Sequence, residues 1–485
     1  MPRDAKQQRR RFWRFTAFVL VLMLPVFAAA CFARPSADDF GYAQRTRDVV
    51  LRGGGLWQLL TAAAETDAQF FNSWQGLYSS GFLLAFQPGI FGGKWYGLTT
   101  CFIIAMLFFC LWGCFALVGR HLVAEHRYLP AGLAVLFTYA FVQGMPNQAE
   151  GLFWFNGAAN YIPFFALTVL NDGLLFHLLA GEKRPVWPVA VSAVVSVVVS
   201  GGHHVAALLD MLVLLLALLA GLRRKRFAVA LPFAAGLAGL LVNLTAPGTR
   251  VRMDGFSSAS MPEAIVKSFL LTVFNLIRWL DVPLLCLLAL LTPLAEALAG
   301  RLPAPGRLHL VAGPAVTFVM LWAMVWLPSY TMGGIGAGRL INVVWMTFVL
   351  GAAYSWCALV VWAAHRVDLA RLLPQKHTVL IGAALLVCMA CIGSHTVKEG
   401  LDNHFATSLE AAYELLEGVP QRFAAAHDAR EAALLEPGVE DVTIRPLTAE
   451  EKPYLLYFSD VTPGPDVWGL ADYYDKQSVT ISDYE

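Results

Sequence analysis

Two adjacent carboxylates, Asp38 and Asp39, are the residues whose type and position most clearly suggest chemistry. They follow the first hydrophobic run by a few residues, in the stretch Ser36-Ala37-Asp38-Asp39-Phe40-Gly41-Tyr42. Adjacent carboxylates repel each other, so one of them tends to have a raised pKa and can accept a proton as a general base. Together they could also hold a hard divalent cation such as Mg²⁺ or Mn²⁺. The plainer alternative is a cap for a helix that starts near Phe40.

Two later groups combine polar side chains with aromatic or glycine-rich surroundings. Glu150 precedes the aromatic patch Phe153-Trp154-Phe155, and carboxylate groups beside aromatic faces suit a sugar. An aromatic belt at a membrane interface explains the same patch. His203 and His204 follow a pair of glycines; neighbouring histidines point in different directions on a helix, so they are candidate substrate-binding residues rather than a shared metal site.

The composition indicates a membrane as the surroundings of these groups. The chain has 485 residues, of which 58% are hydrophobic and only 14% charged, and its mean hydropathy is +0.59. Soluble domains carry about 25% charged residues. The net charge of +1 gives no reason to expect a nucleic-acid partner. The eight cysteines all lie in or beside hydrophobic runs, which is not the pattern of a disulfide framework or a zinc site.

Eleven hydrophobic segments are candidates for membrane-spanning helices, since a crossing needs about 20 apolar residues. We predict them at 13–33, 95–118, 128–145, 152–179, 186–201, 204–222, 227–246, 281–299, 308–328, 338–364 and 377–395. Residues 262–280 are predicted to form a helix outside the membrane, beside the next span; the alternative is one tilted span interrupted at Pro283.

The loop charges predict the orientation, because cytoplasmic loops are enriched in Lys and Arg. Basic residues precede the first span and recur in alternate short loops, which places the N-terminus in the cytoplasm and, with eleven spans, the C-terminus outside. Arg250, Arg252 and Arg339 break this pattern, since they fall on the side of Asp38 and Asp39. We predict that they clamp a phosphate group; binding of anionic headgroups or pairing with Asp254 are the alternatives.

Two stretches outside the spans are predicted to have structure of their own. In the first outer loop, 34–94, Trp74, Tyr78, Phe82 and Phe86 recur at spacing four, which predicts one aromatic face of an interfacial helix. The acidic tail, 397–485, follows the membrane domain, 1–396, and is predicted to be a small α+β cap on the outer face. Its expected elements are a helix or helix pair over 402–433 broken at Gly418-Val419-Pro420, strands at 442–444 and 454–458, and a loop at 463–468.

The chain resembles the GT-C glycosyltransferases, in which a carboxylate motif lies in the first extracytoplasmic loop after span one. The resemblance is greatest to a bacterial GT-C-like family with an Ala-Asp-Asp-(Phe/Tyr) opening, and it extends over most of the chain. The matching stretches are Ala37 to Phe40, Trp154-Phe155-Asn156-Gly157 with Asn160-Tyr161, Ala246-Pro247-Gly248-Thr249-Arg250, and the tail segment 468–481.

This resemblance implies an all-α enzyme of the bacterial inner (plasma) membrane that uses a polyprenyl-phosphate-linked sugar. Asp38 or Asp39 would be the base that deprotonates the acceptor hydroxyl, and the arginines would stabilise the departing phosphate. The other implied substrate-binding residues are Trp154, Asn156, Asn160 and Tyr161. The acceptor would be a surface polysaccharide, a glycolipid, lipid A or a protein, and membrane lipids would surround the enzyme.

Other function classes remain open at the level of sequence. A transporter or flippase of a lipid-linked glycan would often show paired half-repeats, and no internal repeat is evident. A polysaccharide polymerase or ligase would usually carry its large outer loop later in the chain. Signatures of phosphate-binding loops, zinc proteases and serine hydrolases are also not found in the sequence.

Overall fold

The computed structural model describes residues 3–123, 126–181, 186–255, 259–369, 377–393, 405–461 and 469–482, and it is built mainly of α-helices. The membrane part comprises α1 (Arg3–Ala30), α5 (Leu98–Leu122), α6 (Leu129–Gly144), α7 (Phe155–Ala180), α8 (Val186–Ser200), α9 (His204–Arg223), α10 (Ala230–Thr245), α13 (Val282–Ala299), α14 (Arg307–Met332), α15 (Gly338–Ala364) and α16 (Thr378–Cys391).

Apolar helices occupy all eleven positions predicted from the sequence. Eight helices in the described part of the chain are long and apolar enough to cross a membrane. The other three, α6, α8 and α16, are shorter; 16 residues in α6 correspond to about 24 Å, against a hydrocarbon core of about 30 Å. The multi-pass helical membrane fold is therefore confirmed, and the total of eleven crossings stays a prediction.

The remaining helices lie between and after these. They are α2 (Asp38–Leu51), α3 (Leu56–Ser73) and α4 (Tyr78–Leu84) in the first outer loop, α11 (Pro247–Asp254), α12 (Met261–Arg278), and α17 (Thr407–Glu417), α18 (Val419–Leu434) and α19 (Leu470–Tyr473) in the tail. Helix α12 ends before α13 begins, and its position outside the membrane stays a prediction. It packs along α14, where the Trp322 indole donates to Ser268 Oγ over 2.9 Å.

The aromatic stripe of the first outer loop does not lie on one helix, so that prediction was wrong. Helix α3 ends at Ser73, and α4 begins only at Tyr78. Trp74 lies in the break and is 44% exposed. The break follows from packing, since Gly76 lies so close to Asn243 and Thr249 that a side chain there would overlap them.

Helix α7 lies at the centre of the membrane part, packed against α5, α8, α9 and α15. Nearly every residue of its first three turns is buried, because other helices enclose α7 on several sides. A helix that is apolar all round is typical of such a buried position. Its N-terminus follows a π-helical turn, Ala149–Phe153, of the kind often found at functional sites. The N-terminal end of α7 lies beside the first outer loop, where the Asn156 amide donates to Asp39.

The tail forms a compact unit that packs on the first outer loop. Gly418, with φ of +74°, separates α17 from α18, which confirms the predicted helix break. The strands β1 (Asp441–Ile444) and β2 (Ser478–Ile481) pair in parallel. The strand predicted at 454–458 was wrong, since this stretch forms turns; the loop predicted at 463–468 lies outside the described residues.

One hydrophobic cluster joins the tail to the first outer loop. Phe40 of α2 and Ile90 pack with tail residues of α18, both strands and α19. Arg34 also forms an ion pair with Asp428 at 2.7 Å. The tail and the first outer loop therefore lie on the same side of the membrane part.

Candidate functional site

Asp39 is buried and serves as an anchor between three parts of the chain. Its Oδ2 accepts hydrogen bonds from the Tyr96 hydroxyl at 2.5 Å and from the Ser36 amide at 3.0 Å. Its Oδ1 accepts from the Asn156 amide at 3.1 Å. Burial raises the pKa of Asp39 to about 7, against the opposing effect of these donors. The carboxylate thus ties the start of α2 to the start of α7.

Asp38, its neighbour, is partly exposed and faces two cations instead. Burial raises the pKa of Asp38, while the nearby guanidinium groups of Arg339 and Arg252 act in the opposite direction. The helix begins at Asp38 itself, and no side-chain cap stands before it. In the described part of the chain, the Asp38 carboxylate makes no hydrogen bond comparable to those of Asp39. It is therefore the carboxylate with oxygens available to a ligand.

The backbone before Asp38 has a conformation that few side chains tolerate. Ala37 has φ of +49° and ψ of −125°, a region that glycine favours and that costs about 1–3 kcal/mol for other residues. This turn directs the two aspartates to different surroundings, one inward and one toward the arginines.

Arg339, at the N-terminal end of α15, is held by contacts on several sides. It forms an ion pair with Glu150 at 2.8 Å, and its guanidinium lies 5.1 Å from the Trp154 ring centre and 5.7 Å from that of Tyr161. Its Nε is buried and has no hydrogen-bond partner among the described residues. The arginine is thus fixed in place with donor capacity left over.

Glu150 owes its position to the π-helical turn. Asn147 donates to Glu150 Oε1 over 2.8 Å, and Asn147 is in turn bonded to Asn342 of α15. Glu150 and Arg339 therefore belong to one polar network with Asn147 and Asn342, which the sequence alone does not reveal.

Arg252, on α11, is the second arginine near Asp38. It donates to the Gln75 side chain and lies 5.4 Å from the Trp74 ring centre; Gln75 in turn donates to the Tyr42 hydroxyl over 2.7 Å. Arg250, two residues earlier on the same helix, is exposed and has no contact with Asp38 in the described structure. The structure therefore brings Arg252 and Arg339, but not Arg250, to the carboxylate.

The two histidines occupy the loop and first turn at α9. The His203 ring lies 3.9 Å from the Tyr161 ring, centre to centre. Burial, with the nearby His204, Arg252 and Arg339, holds the pKa of His203 well below its usual range. The two rings are 6.1 Å apart, and His204 Nε2 is buried with no partner among the described residues. His203 is therefore a neutral imidazole that lies close to the two arginines.

The polar residues of the first turns of α7 complete the site. Asn156 Nδ2 and Asn160 Oδ1 are buried and have no hydrogen-bond partner among the described residues. Trp154 is less available, since its ring stacks on Phe458 of the tail at 3.5 Å and its indole donates to Ser36 O over 3.1 Å. Unpaired buried amides of this kind suit a polar ligand.

A divalent cation does not fit the two aspartates as they stand. Both oxygens of Asp39 already accept hydrogen bonds, and Asp38 faces two guanidinium groups that repel a cation. Among the described residues, no group of three or more His, Cys, Asp or Glu side chains could hold a metal ion. The two aspartates therefore do not form a site that fits Mg²⁺ or Mn²⁺.

Several residues of the site were not singled out by the sequence. Tyr96 and Gln75 have no local motif that marks them, and Tyr42 lies in the stretch with the two aspartates but was given no role there. Phe458 comes from the tail, more than 300 residues after Trp154. Only the exposed Trp74, as part of an aromatic series, gave a signal near Gln75.

Comparison of the chain with protein-family models, with curated proteins and with solved structures gives no match in any of the three. The candidate function therefore rests on the residues and the geometry described above.

Proposed function

We propose that the protein is a GT-C-type glycosyltransferase that moves a sugar from a polyprenyl-phosphate donor to an extracytoplasmic acceptor. The observation that carries this proposal is the position of Asp38, a partly exposed carboxylate influenced by both Arg252 and Arg339. A base beside two fixed cations is the arrangement needed to activate a hydroxyl and to bind a phosphate leaving group.

In the proposed reaction, the acceptor hydroxyl attacks the anomeric carbon of the donor sugar. The new bond joins the acceptor oxygen to that carbon, and the bond from the carbon to the phosphate oxygen breaks. Asp38 takes the hydroxyl proton and later releases it to water, while the polyprenyl phosphate leaves with its negative charge against Arg252 and Arg339. Asp39 positions this base through its bonds to Ser36 and Asn156.

Donor binding would itself prepare the base. The two guanidinium groups favour the ionised form of Asp38 before the donor arrives. A bound phosphate competes for both of them, so the carboxylate loses part of this stabilisation and becomes a better proton acceptor. The unpartnered Nε of Arg339 supplies a further donor to the phosphate.

A cavity inside the membrane part supports a lipid-linked donor. It has a volume of about 430 Å³ and lies between α7, α9, α14 and α15, with Val169, Leu209 and Leu350 among its mostly apolar lining. Among the lining residues on α15, Thr347 is the nearest in sequence to Arg339. It lies eight positions later, which is about 12 Å along the helix. A polyprenyl chain whose phosphate lies at Arg339 would run toward this cavity.

The decisive experiment compares Asp38→Asn with Asp48→Asn in purified protein embedded in lipid nanodiscs. A panel of polyprenyl-phosphate pentoses and hexoses serves as donor, and release of polyprenyl phosphate is measured. Asp38→Asn should lower the rate by about 10²–10⁴-fold, the usual contribution of a general base. Asp48 lies on the same helix, paired with Arg52 at the surface, so the same substitution there should leave the rate unchanged.

Two results would count against the proposal. Release of polyprenyl phosphate by Asp38→Asn at the wild-type rate would show that Asp38 is not the base. Movement of the intact donor across the bilayer without cleavage would favour a flippase.

A further inference from the structure

A second cavity, of about 200 Å³, lies between the first outer loop and the tail. Asp38 and Phe40 form part of one wall, and the tail residues His427, Arg430 and Tyr474 form part of the other. A water needs about 10–15 Å³ by this kind of measure, so the space suits a small polar molecule. Its wall includes the carboxylate that we propose as the base.

Apart from Asp38, the charged side chains around this cavity have partners. Arg34 pairs with Asp428 at 2.7 Å, and Arg430 pairs with Asp460 at 2.9 Å. Glu431 accepts a hydrogen bond from the Gly93 amide over 3.2 Å. Asp38 is then the one charged group named in the wall with oxygens available to a ligand. A neutral polar ligand, whose hydroxyl groups can donate to that carboxylate, fits the cavity best.

His427 supplies the unmatched polar group. Its Nε2 is buried and has no hydrogen-bond partner among the described residues, and its ring packs on Phe423 at 4.4 Å. Burial, followed by the charges of Arg430 and Arg34, lowers the pKa of His427 to about 3. The imidazole is therefore neutral at physiological pH, with one nitrogen that donates and one that accepts, as a hydroxyl group requires.

We propose that this cavity binds the terminal sugar ring of the acceptor. His427 recognises one hydroxyl of that ring, and Asp38 faces the hydroxyl that receives the donor sugar. This inference rests on the proposed function and names the acceptor class as carbohydrate. The aromatic rings of Phe40 and Tyr474 supply the apolar surface on which sugar rings commonly pack. The donor would approach Asp38 from the side of Arg252 and Arg339, so the two substrates meet at this carboxylate.

The test measures sugar binding apart from catalysis. Methyl glycosides of hexoses, N-acetylhexosamines and deoxyhexoses are added to the full-length protein in nanodiscs, and saturation transfer to the glycoside is recorded by NMR. At least one glycoside should bind to the wild-type protein. His427→Ala should weaken that binding about fivefold to tenfold, the effect of losing one hydrogen bond, and His427→Gln should restore part of it.

A second variant guards against misfolding. Ser459→Phe adds bulk from the cavity wall and should abolish binding, while Ala425→Phe adds the same ring at an exposed position of α18 and should have no effect. Equal melting temperatures of the two variants would show that the loss is local. Absence of binding to the wild type, or equal binding in Ser459→Phe, would overturn the inference.

The same proteins separate this inference from the proposed function. If Ser459→Phe still releases polyprenyl phosphate by hydrolysis but no longer transfers sugar, the acceptor assignment is supported. If the variant keeps full transfer, the acceptor assignment fails while the transferase stands. If glycosides bind through His427 but the wild type cleaves no donor, the cavity is a sugar site and the transferase proposal fails.

The source of the acceptor sugar is distinguished by a further arm. The glycoside that binds is compared with the same sugar on a decyl chain inserted in the nanodisc. Tighter binding of the membrane-anchored form supports a glycolipid acceptor, and equal binding supports a soluble glycan chain.

Discussion

Asp38 and Asp39 are neighbours in sequence, yet their surroundings assign them different tasks. Asp39 is saturated by donors from Tyr96, Ser36 and Asn156. Asp38 is partly exposed, and its charged neighbours are Arg339 and Arg252. A carboxylate whose oxygens all accept hydrogen bonds positions other groups, and one that keeps free oxygens beside a cleft can react.

This difference predicts that the same substitution, Asp to Asn, changes the melting temperature at position 39 but not at position 38. Asp39→Asn places an amide NH₂ against an amide or hydroxyl donor, so one buried donor loses its acceptor. The expected cost is about 1–3 kcal/mol of stability, seen as a lower melting temperature in detergent. Asp38→Asn should leave the melting temperature close to that of the wild type.

The comparison has its own internal control, since both variants change one charge in the same turn. Equal melting temperatures for the two would contradict the anchoring role of Asp39. A loss of stability in Asp38→Asn alone would reverse the assignments.

At the level of elements, the short helix α11 brings Arg252 to the site because its N-terminal turn packs directly on the first outer loop. Thr249 Oγ1 accepts from the Gly76 amide over 3.0 Å and donates to Asn243 O over 2.9 Å. Gly248 lies so close to the chain that an added Cβ would be 2.5 Å from Gln75 N and 2.7 Å from Phe70 O. The motif Ala246 to Arg250 therefore has a packing role that fixes the start of α11.

Gly248→Ala should consequently displace α11 and move Arg252 away from Gln75. Backbone atoms form the contact and cannot rotate aside, so overpacking of about 1–3 kcal/mol is expected, with reduced release of polyprenyl phosphate. Gly255→Ala, just after the same helix, is the matched control, since its nearest contact would be 3.4 Å. Comparable stability and activity in the two variants would show that α11 is not held in this way.

At the scale of the whole molecule, the tail closes over the first outer loop. Arg34 pairs with Asp428, Gln87 donates to the Tyr473 hydroxyl over 3.0 Å, and Phe458 stacks on Trp154. These contacts require the tail and the first outer loop to lie on one side of the membrane, so an odd number of crossings separates the N-terminus from the tail.

Combined with the loop charges, this contact predicts the topology of the full chain. A reporter enzyme that folds only outside the cytoplasm should be active when fused after Glu485. The same reporter fused after Arg224, in a basic loop between α9 and α10, should be inactive. Activity after Arg224 and none after Glu485 would invert the orientation and place the proposed site in the cytoplasm.

The sequence by itself was sufficient to locate most of the helices. Apolar runs are local in sequence and mark lipid-facing or buried helices, and Gly418 marks a helix end because a glycine readily adopts the positive φ that the turn needs. The same local reasoning failed at 454–458, where an apolar, aromatic stretch typical of a strand does not form one. Its Tyr454 and Leu455 amides donate to the Glu414 carboxylate of α17 instead of to a neighbouring strand.

Only the tertiary structure decided which candidate residues meet. Asp39 is bonded to residues 57 and 117 positions away, and no local pattern fixes such distances. Arg250 and Arg252 stand two residues apart on a short helix, so they point in different directions, and only the placement of α11 determines which one faces Asp38. The different surroundings of the two aspartates and the cavity between the first outer loop and the tail arise from burial and from long-range contacts, which depend on how the helices pack.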